Sequence, residues 1–185
     1  MSNKFIQKYL KNFEEVFSKE KKKYLYLNDV CEKIKKLKKT NKILIFGNGG
    51  SAPIASHFSL DLSNNTKIKC LNFNDPGLIT CFSNDYGYEN WVDRCIKIFS
   101  LPGDLIIFIS SSGNSLNMTK AAKNAKKSNN LGIVTFTGFS KNNKLKKIGH
   151  LNLWVDSNNY NYIENIHQIW LLAIVDTIKN SLGIK

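Results

Sequence analysis

Arginine is almost absent from this chain of 185 residues. Arg94 is the only arginine among 27 lysines and arginines, although the formal net charge is +13. Arginine is the residue that recognises phosphates and base edges through two parallel hydrogen bonds, and lysine does not replace it in that role. The positive charge therefore indicates a solvated lysine surface, and we expect no nucleic-acid partner.

Long apolar runs are missing as well. No run reaches the roughly 18 residues that a membrane-spanning helix requires. The first residues, Met1 to Phe5, lack the apolar centre of a signal peptide. We therefore expect no membrane association and a cytoplasmic location.

The cysteines lack the Cys-x-x-Cys spacing that marks thiolate zinc sites and redox motifs. A cytoplasmic protein keeps its thiols reduced, and cysteine packs as a small apolar side chain. We therefore expect four buried free thiols, at Cys31, Cys70, Cys81 and Cys95.

Strand and helix patterns alternate through most of the chain. Residues 4–39 carry apolar side chains at helical spacing, with a break near 21–24. Short apolar runs then alternate with helical patterns, which is typical of a parallel sheet covered on both faces. We predict one α/β domain over residues 1–185, with an N-terminal helical segment (1–40) and an α/β core (41–185). The predicted strands are 43–46, 68–73, 105–109, 132–136 and 151–155, and the predicted core helices are 51–62, 86–99, 115–128 and 160–182.

Two loops of small residues follow predicted strands and precede predicted helices. We call Gly47-Asn48-Gly49-Gly50-Ser51 the glycine loop and Ser110-Ser111-Ser112-Gly113-Asn114-Ser115 the serine loop. Ligands of parallel sheets bind at the carboxyl ends of strands, and helix N-termini and hydroxyls suit phosphate. The glycine loop lacks the spacing of dinucleotide or Walker-type motifs and resembles many structural turns. The serine loop is the more specific signal, and together they predict a cradle for a phosphate on a hydroxylated molecule.

Two polar clusters lie on predicted helices. His57 and Asp61 are four residues apart and share a helix face, so they form either a metal or acid/base pair or a surface ion pair. Glu164, His167 and Gln168 interrupt an otherwise apolar helix, where polar groups need partners. These three are either satisfied core groups or active-site groups.

In this order, the segments resemble the SIS (sugar isomerase) domain family and, within it, the phosphoheptose isomerases. The resemblance is carried by residues 47–52 with His57, 78–80 leading to Asn84-Asp85-Tyr86-Gly87, 110–115 and 163–167. It implies a three-layer αβα sandwich with a five-stranded parallel sheet, and homotetramers whose active sites are shared between subunits. It also implies interconversion of sedoheptulose 7-phosphate and glycero-manno-heptose 7-phosphate.

The resemblance also assigns the ligand-binding residues. It implies that the phosphate is held by four serines, Ser110, Ser111, Ser112 and Ser115. It implies that the sugar is lined by Asn48, Gly49, Gly50 and Ser51, joined by Asn84, Asp85 and Glu164. Without the resemblance, Asn84 and Asp85 are equally explained as a turn that caps a helix.

The family's zinc ligands are only partly matched. The family uses a His and a Glu of the first core helix and a Gln and a His of the last helix. His57 matches the first His, whereas Asp61 replaces the Glu, Glu164 replaces the Gln and Leu172 replaces the last His. By this match, His57, Asp61 and Glu164 are the catalytic groups and the remaining metal ligands, and we expect zinc to be weakly bound or absent.

The sequence therefore predicts a phosphosugar aldose–ketose isomerase in which Asp61 and Glu164 transfer the proton through an enediol. The alternative is a non-catalytic SIS protein that binds a sugar phosphate or a protein partner. The replacement at Leu172 favours that alternative, and the intact serine loop favours a retained sugar-phosphate ligand.

Overall fold

A computed structural model describes residues 2–128 and 132–184 of the chain. Its helices are α1 (Ser2–Glu20), α2 (Tyr24–Lys35), α3 (Ser51–Thr66), α4 (Pro76–Tyr86), α5 (Trp91–Phe99), α6 (Leu116–Lys127) and α7 (Tyr160–Ser181). Its strands are β1 (Ile43–Gly47), β2 (Cys70–Asn72), β3 (Leu105–Ser110), β4 (Gly132–Thr137) and β5 (Leu151–Trp154). Within those ranges, none of the helices has the length and apolar character needed to cross a membrane.

The five strands form one parallel sheet in the order β2-β1-β3-β4-β5. Every residue of β1 and β3 is buried, which explains their continuous apolar sequences. These two strands are neighbours, and Gly47 at the end of β1 pairs with Ile109 near the end of β3. The glycine loop and the serine loop therefore leave the same edge of the sheet side by side.

The side chains of the strands alternate between two apolar clusters. Ile43 and Ile45 pack in a cluster with residues of α2, α3 and α7 on one face. Leu44 and Phe46 pack with α5 and α6 on the other face. The result is the three-layer αβα sandwich with a five-stranded parallel sheet that was expected, so the predicted fold class is confirmed.

The N-terminal helix α1 covers the outside of this sandwich along α7. The rings of Tyr9 and Phe13 contact Tyr162 edge-on, with centroid separations of 4.8 and 5.6 Å. At the start of α1, Phe5 is 70% exposed and Leu10 is 59% exposed. One side of the helix is thus packed, while a second apolar side faces solvent.

The predicted helix over 86–99 is confirmed from Trp91 to Phe99 and wrong before Trp91. Helix α4 ends at Tyr86, Gly87 follows with φ +85°, and a 3-10 turn at Tyr88–Asn90 leads into α5. The short helical pattern of α4 was missed: no residue of that helix is fully buried, and only Leu78, Ile79 and Phe82 pack partly against the core. The Asp75 carboxylate caps α4 by accepting a hydrogen bond from the Leu78 amide at 2.8 Å. The predicted break in the N-terminal helices is present, as a 3-10 turn at Lys21–Lys23.

The prediction of four buried thiols is wrong at one position. All four cysteines are free, and Cys31, Cys70 and Cys95 are buried, but Cys81 is exposed on α4. Burial raises the pKa of the Cys31 thiol to about 11 and that of Cys95 to about 12.

Candidate active site

The glycine loop turns sharply from β1 into α3. Gly49 adopts φ +54°, and the amides of Ser51 and Ala52 donate to the carbonyls of Asn48 and Gly49, each at 3.0 Å. A Cβ atom at Gly47 would overlap the backbone of Ser51, so the turn is possible only without a side chain there. The first turn of α3 carries no acidic residue, which leaves its positive end available to an anion.

Asn48 joins the glycine loop to α6. Its amide nitrogen donates to Oδ1 of Asn117 at 2.9 Å, and the Asn117 nitrogen donates back to Oδ1 of Asn48 at 3.0 Å. Asn117 is buried in the first turn of α6, directly after the serine loop. The Tyr88 hydroxyl adds a longer contact of 3.4 Å to Oδ1 of Asn48. The two loops are therefore held together by a reciprocal amide pair.

The serine loop is braced from the other side by the segment after β4. Gly113 has φ +64°, and a Cβ atom there would overlap the side chain of Asn143. Asn143 is buried and donates to the Ser140 carbonyl at 2.9 Å, while the Leu145 amide donates to the Gly113 carbonyl at 2.9 Å. The fixed loop presents its hydroxyls at the N-terminus of α6, whose first turn carries no acidic residue.

A cavity of about 330 Å³ opens between the two loops. It lies at the carboxyl ends of β1 and β3 and at the N-termini of α3 and α6. Its lining combines both loops with the start of α7: Asn48, Gly49, Gly50, Ser51, Ser110, Ser111, Ser112, Ser115, Tyr160 and Glu164. The structure thus brings together the predicted phosphate serines, the predicted sugar-lining residues and Glu164.

Glu164 is the one carboxylate among those ten residues. Its Oε1 accepts a hydrogen bond from the Ser111 hydroxyl at 3.4 Å. Its carboxylate also lies so close to Gly50 that a Cβ atom there would overlap it. Glu164 is therefore placed to exchange protons with a molecule bound between the loops.

His57 and Asp61 lie on α3, outside the lining of the cavity. Nε2 of His57 is 3.1 Å from Oδ2 of Asp61, with side chains 48% and 33% exposed. Nδ1 of His57 is 2.8 Å from Nε2 of Gln168, which lies one turn after Glu164 on α7. The pair expected from the spacing is present, and it is tied to α7 through Gln168.

Asn84 and Asp85 also lie outside the cavity lining. Both are exposed in the last turn of α4, where Nδ2 of Asn84 donates to Oδ1 of Asp85 at 3.1 Å. The described chain alone does not bring them to the other predicted sugar-lining residues, which line the cavity.

His167 is a core group. It is fully buried, and Nε2 lies 3.2 Å from the carbonyl of Thr137. Burial lowers the pKa of His167 to about 4, and the hydrogen bond to Thr137 only partly opposes that shift. Of the three polar residues on the apolar helix, Glu164 lines the cavity, Gln168 contacts His57 and His167 belongs to the interior.

The donor set does not fit a zinc site. Protein zinc sites use at least three protein ligands, and Leu172 supplies none. The described residues contain no group of three or more His, Cys, Asp or Glu side chains placed to hold a metal. His57 and Asp61 form a pair by themselves, because Glu164 is directed to Gly50 and Ser111.

Sequence reasoning missed Tyr160, Asn117 and Asn143. Tyr160 lines the cavity, and its ring contacts the tilted ring of Phe139 with centroids 4.6 Å apart. Asn117 had a local signal, since it is a polar residue two positions after the serine loop. Asn143 had none, because its contact with Gly113 depends on how the loop after β4 folds back.

Comparisons with known proteins agree with this architecture. The family model described as "SIS domain" matches residues 4–138. This chain belongs to the SIS domain family. Among curated SIS relatives, the phosphoheptose isomerase of Aliarcobacter butzleri is 36% identical over 158 residues, which cover 81% of this chain and 82% of that protein. The phosphoheptose isomerase of Helicobacter pylori strain Shi470 is 33% identical, covering 82% and 81% of the two chains.

A solved structure shares this fold over nearly the whole chain. The phosphoheptose isomerase of Neisseria gonorrhoeae superposes with a TM-score of 0.90, covering 97% of this chain and 100% of that chain. Its sequence identity is 23%, so this similarity supports the fold alone.

Proposed function

We propose that this SIS protein is a phosphosugar aldose–ketose isomerase that interconverts sedoheptulose 7-phosphate and glycero-manno-heptose 7-phosphate. One observation carries the proposal: the Glu164 carboxylate lies in the same cavity as the four serines of the phosphate cradle. Relatives at 33–36% identity are named phosphoheptose isomerases, which supports this substrate class.

The phosphate is bound at the serine loop. Hydroxyls of Ser110 and Ser115 lie 3.3 Å apart at the start of α6, so both reach one phosphate group. The partial positive charges of α3 and α6 favour the anion from two directions. The sugar then extends along the glycine loop towards Glu164, with Tyr160 at the start of α7.

The reaction requires a base and an acid. A base removes a proton from C1 of the ketose while an acid protonates O2, which gives the enediol. Return of a proton to C2 and loss of the O1 proton then give the aldose, so no proton is gained or lost overall. We assign these transfers to Glu164, which lines the cavity, and to Asp61, which is hydrogen-bonded to His57 on α3 outside that lining.

Phosphate binding is tested with the double variant Ser112→Ala, Ser115→Ala. Removing two hydroxyls from the cradle is expected to abolish binding of sedoheptulose 7-phosphate in calorimetry while the circular dichroism spectrum is unchanged. Ser181→Ala is the matched control, because that hydroxyl contacts only the Ile178 carbonyl in α7. Unchanged affinity in the double variant would contradict the assignment of the cradle.

Catalysis is tested with Asp61→Asn and Glu164→Gln in an NMR assay on sedoheptulose 7-phosphate. Each variant is expected to lower kcat/KM by roughly 10²–10⁴-fold, the range of acid/base groups, with phosphate affinity nearly unchanged. Full activity in both variants would refute the assignment. A wild-type protein that binds phosphosugars but converts none would be the non-catalytic SIS protein instead.

We further propose a cytoplasmic homotetramer. The solvent-facing apolar side of α1 supports assembly, with Phe5, Ile6 and Leu10 each more than half exposed. The four free thiols support a reducing compartment. Sedimentation at micromolar concentration is expected to give a tetramer, and a monomer would contradict this part of the proposal.

A further inference from the structure

His57 is held from two sides by two helices. Asp61 of α3 contacts Nε2, and the amide nitrogen of Gln168 on α7 contacts Nδ1. An amide nitrogen donates, so Nδ1 accepts, and the ring proton lies on Nε2, where it is donated to the carboxylate. For a neutral ring, the opposite amide orientation would turn the Nε2 lone pair towards the carboxylate, which would repel it. The contacts therefore select one tautomer and one orientation of the neutral ring.

Gln168 also connects this pair to the cavity. It lies four residues after Glu164, so both side chains leave the same face of α7. Leu172, the next residue on that face, offers no hydrogen-bonding group. Gln168 is consequently the α7 residue that fixes His57, and His57 in turn holds Oδ2 of Asp61 at 3.1 Å.

We propose that Gln168 is a positioning residue that fixes His57 and, through it, Asp61, and that this hydrogen-bonded chain replaces a metal ion at the site. The effect of this chain on catalysis rests on the proposed isomerase function. Its effects on the tautomer of His57 and on metal content do not, because both are measured without any substrate.

The first experiment measures the ring nitrogens of His57 by ¹⁵N NMR in the full-length protein. The expected wild-type spectrum has an unprotonated Nδ1 and a protonated Nε2, assigned by the loss of both signals in His57→Gln. Gln168→Leu removes the donor that holds the ring; the half-exposed ring can then rotate away from Asp61, and a mixture of both tautomers is expected. Asn165→Leu is the matched control, since that amide donates only to the Asn161 carbonyl of its own helix. A wild-type proton on Nδ1, or an unchanged tautomer in Gln168→Leu, would overturn the inference.

The second experiment measures metal content after incubation with zinc and dialysis. Sub-stoichiometric zinc is expected, and one tightly held zinc per chain would overturn the inference.

Kinetics supply the third readout. Gln168→Leu is expected to lower kcat by about 10- to 100-fold, as misplacement of a reacting group does, with KM changed by less than about twofold. Asn165→Leu is expected to keep wild-type kcat, and an equal loss in both variants would overturn the positioning role. If the wild type converts no phosphosugar, the proposed function fails, and the NMR and zinc results alone decide the inference.

Discussion

The buried His167 gives the folded protein a specific sensitivity to acid. The side chain is fully buried, Nε2–H donates to the Thr137 carbonyl at 3.2 Å, and Nδ1 has no partner among the described residues. Its pKa is lowered by burial from 6.5 to about 4. The neutral ring is therefore the form that folds, and the unfolded chain binds a proton first as the pH falls.

The sign and size of the effect follow from proton linkage. Between about pH 6.5 and pH 4 the unfolded state binds more protons than the folded state. The stability that the neutral ring contributes is therefore fully present above pH 6.5 and is lost as the pH falls to about 4. With these two pKa values, His167 lowers the free energy of unfolding by about 2 kcal/mol between pH 7 and pH 5. Below about pH 4 the contribution becomes constant.

His167→Gln isolates this contribution, because glutamine retains an N–H donor for Thr137 and does not titrate. Urea unfolding of both proteins at pH 7 and pH 5, at one protein concentration, gives the difference in pH dependence. Between pH 7 and pH 5, the free energy of unfolding of the variant is expected to fall by about 2 kcal/mol less than that of the wild type. His150→Gln is measured alongside, because burial also lowers the pKa of His150 and the Ile133 amide donates to its Nδ1 at 3.1 Å, so this variant gives the share of the acid loss that belongs to His150. Equal losses in the wild type and His167→Gln would refute the reasoning.

Three further predictions concern the scaffold. Gly113→Ala is expected to destabilise the protein by about 1–3 kcal/mol more than Gly183→Ala. Both glycines have positive φ, but only at Gly113 would the added methyl group overlap a side chain, that of Asn143. Equal unfolding free energies of the two variants would contradict this. Lys42→Met is expected to lower the free energy of unfolding in urea by about 2 kcal/mol, since it removes a 2.7 Å ion pair from the buried Asp104 carboxylate. An unchanged free energy would show that the backbone donors alone stabilise this carboxylate. A thiol reagent is expected to label Cys81 alone in the native protein, and rapid labelling of a second thiol would contradict the burial of the others.

The sheet could be predicted because its central strands β1 and β3 are buried on both faces and therefore carry continuous apolar sequences. Helix α4 was harder to detect, since it buries none of its residues fully and only Leu78, Ile79 and Phe82 pack partly against the core. The phosphate cradle was predictable from the sequences of the glycine loop and the serine loop, because the loops after neighbouring parallel strands lie at the same edge of the sheet. The contact between Gln168 and His57 was not, because it depends on how α7 crosses α3.

The reciprocal amide pair of Asn48 and Asn117 has a consequence for binding thermodynamics. Because it connects the two loops before any ligand arrives, the conformational entropy of ordering them belongs to folding rather than to association. A ligand then enters a cavity whose shape is already set, so its affinity is reduced little by loop ordering. The same connection couples the two ends of the cavity, and loosening α6 near Asn117 would disorder the glycine loop on the neighbouring strand.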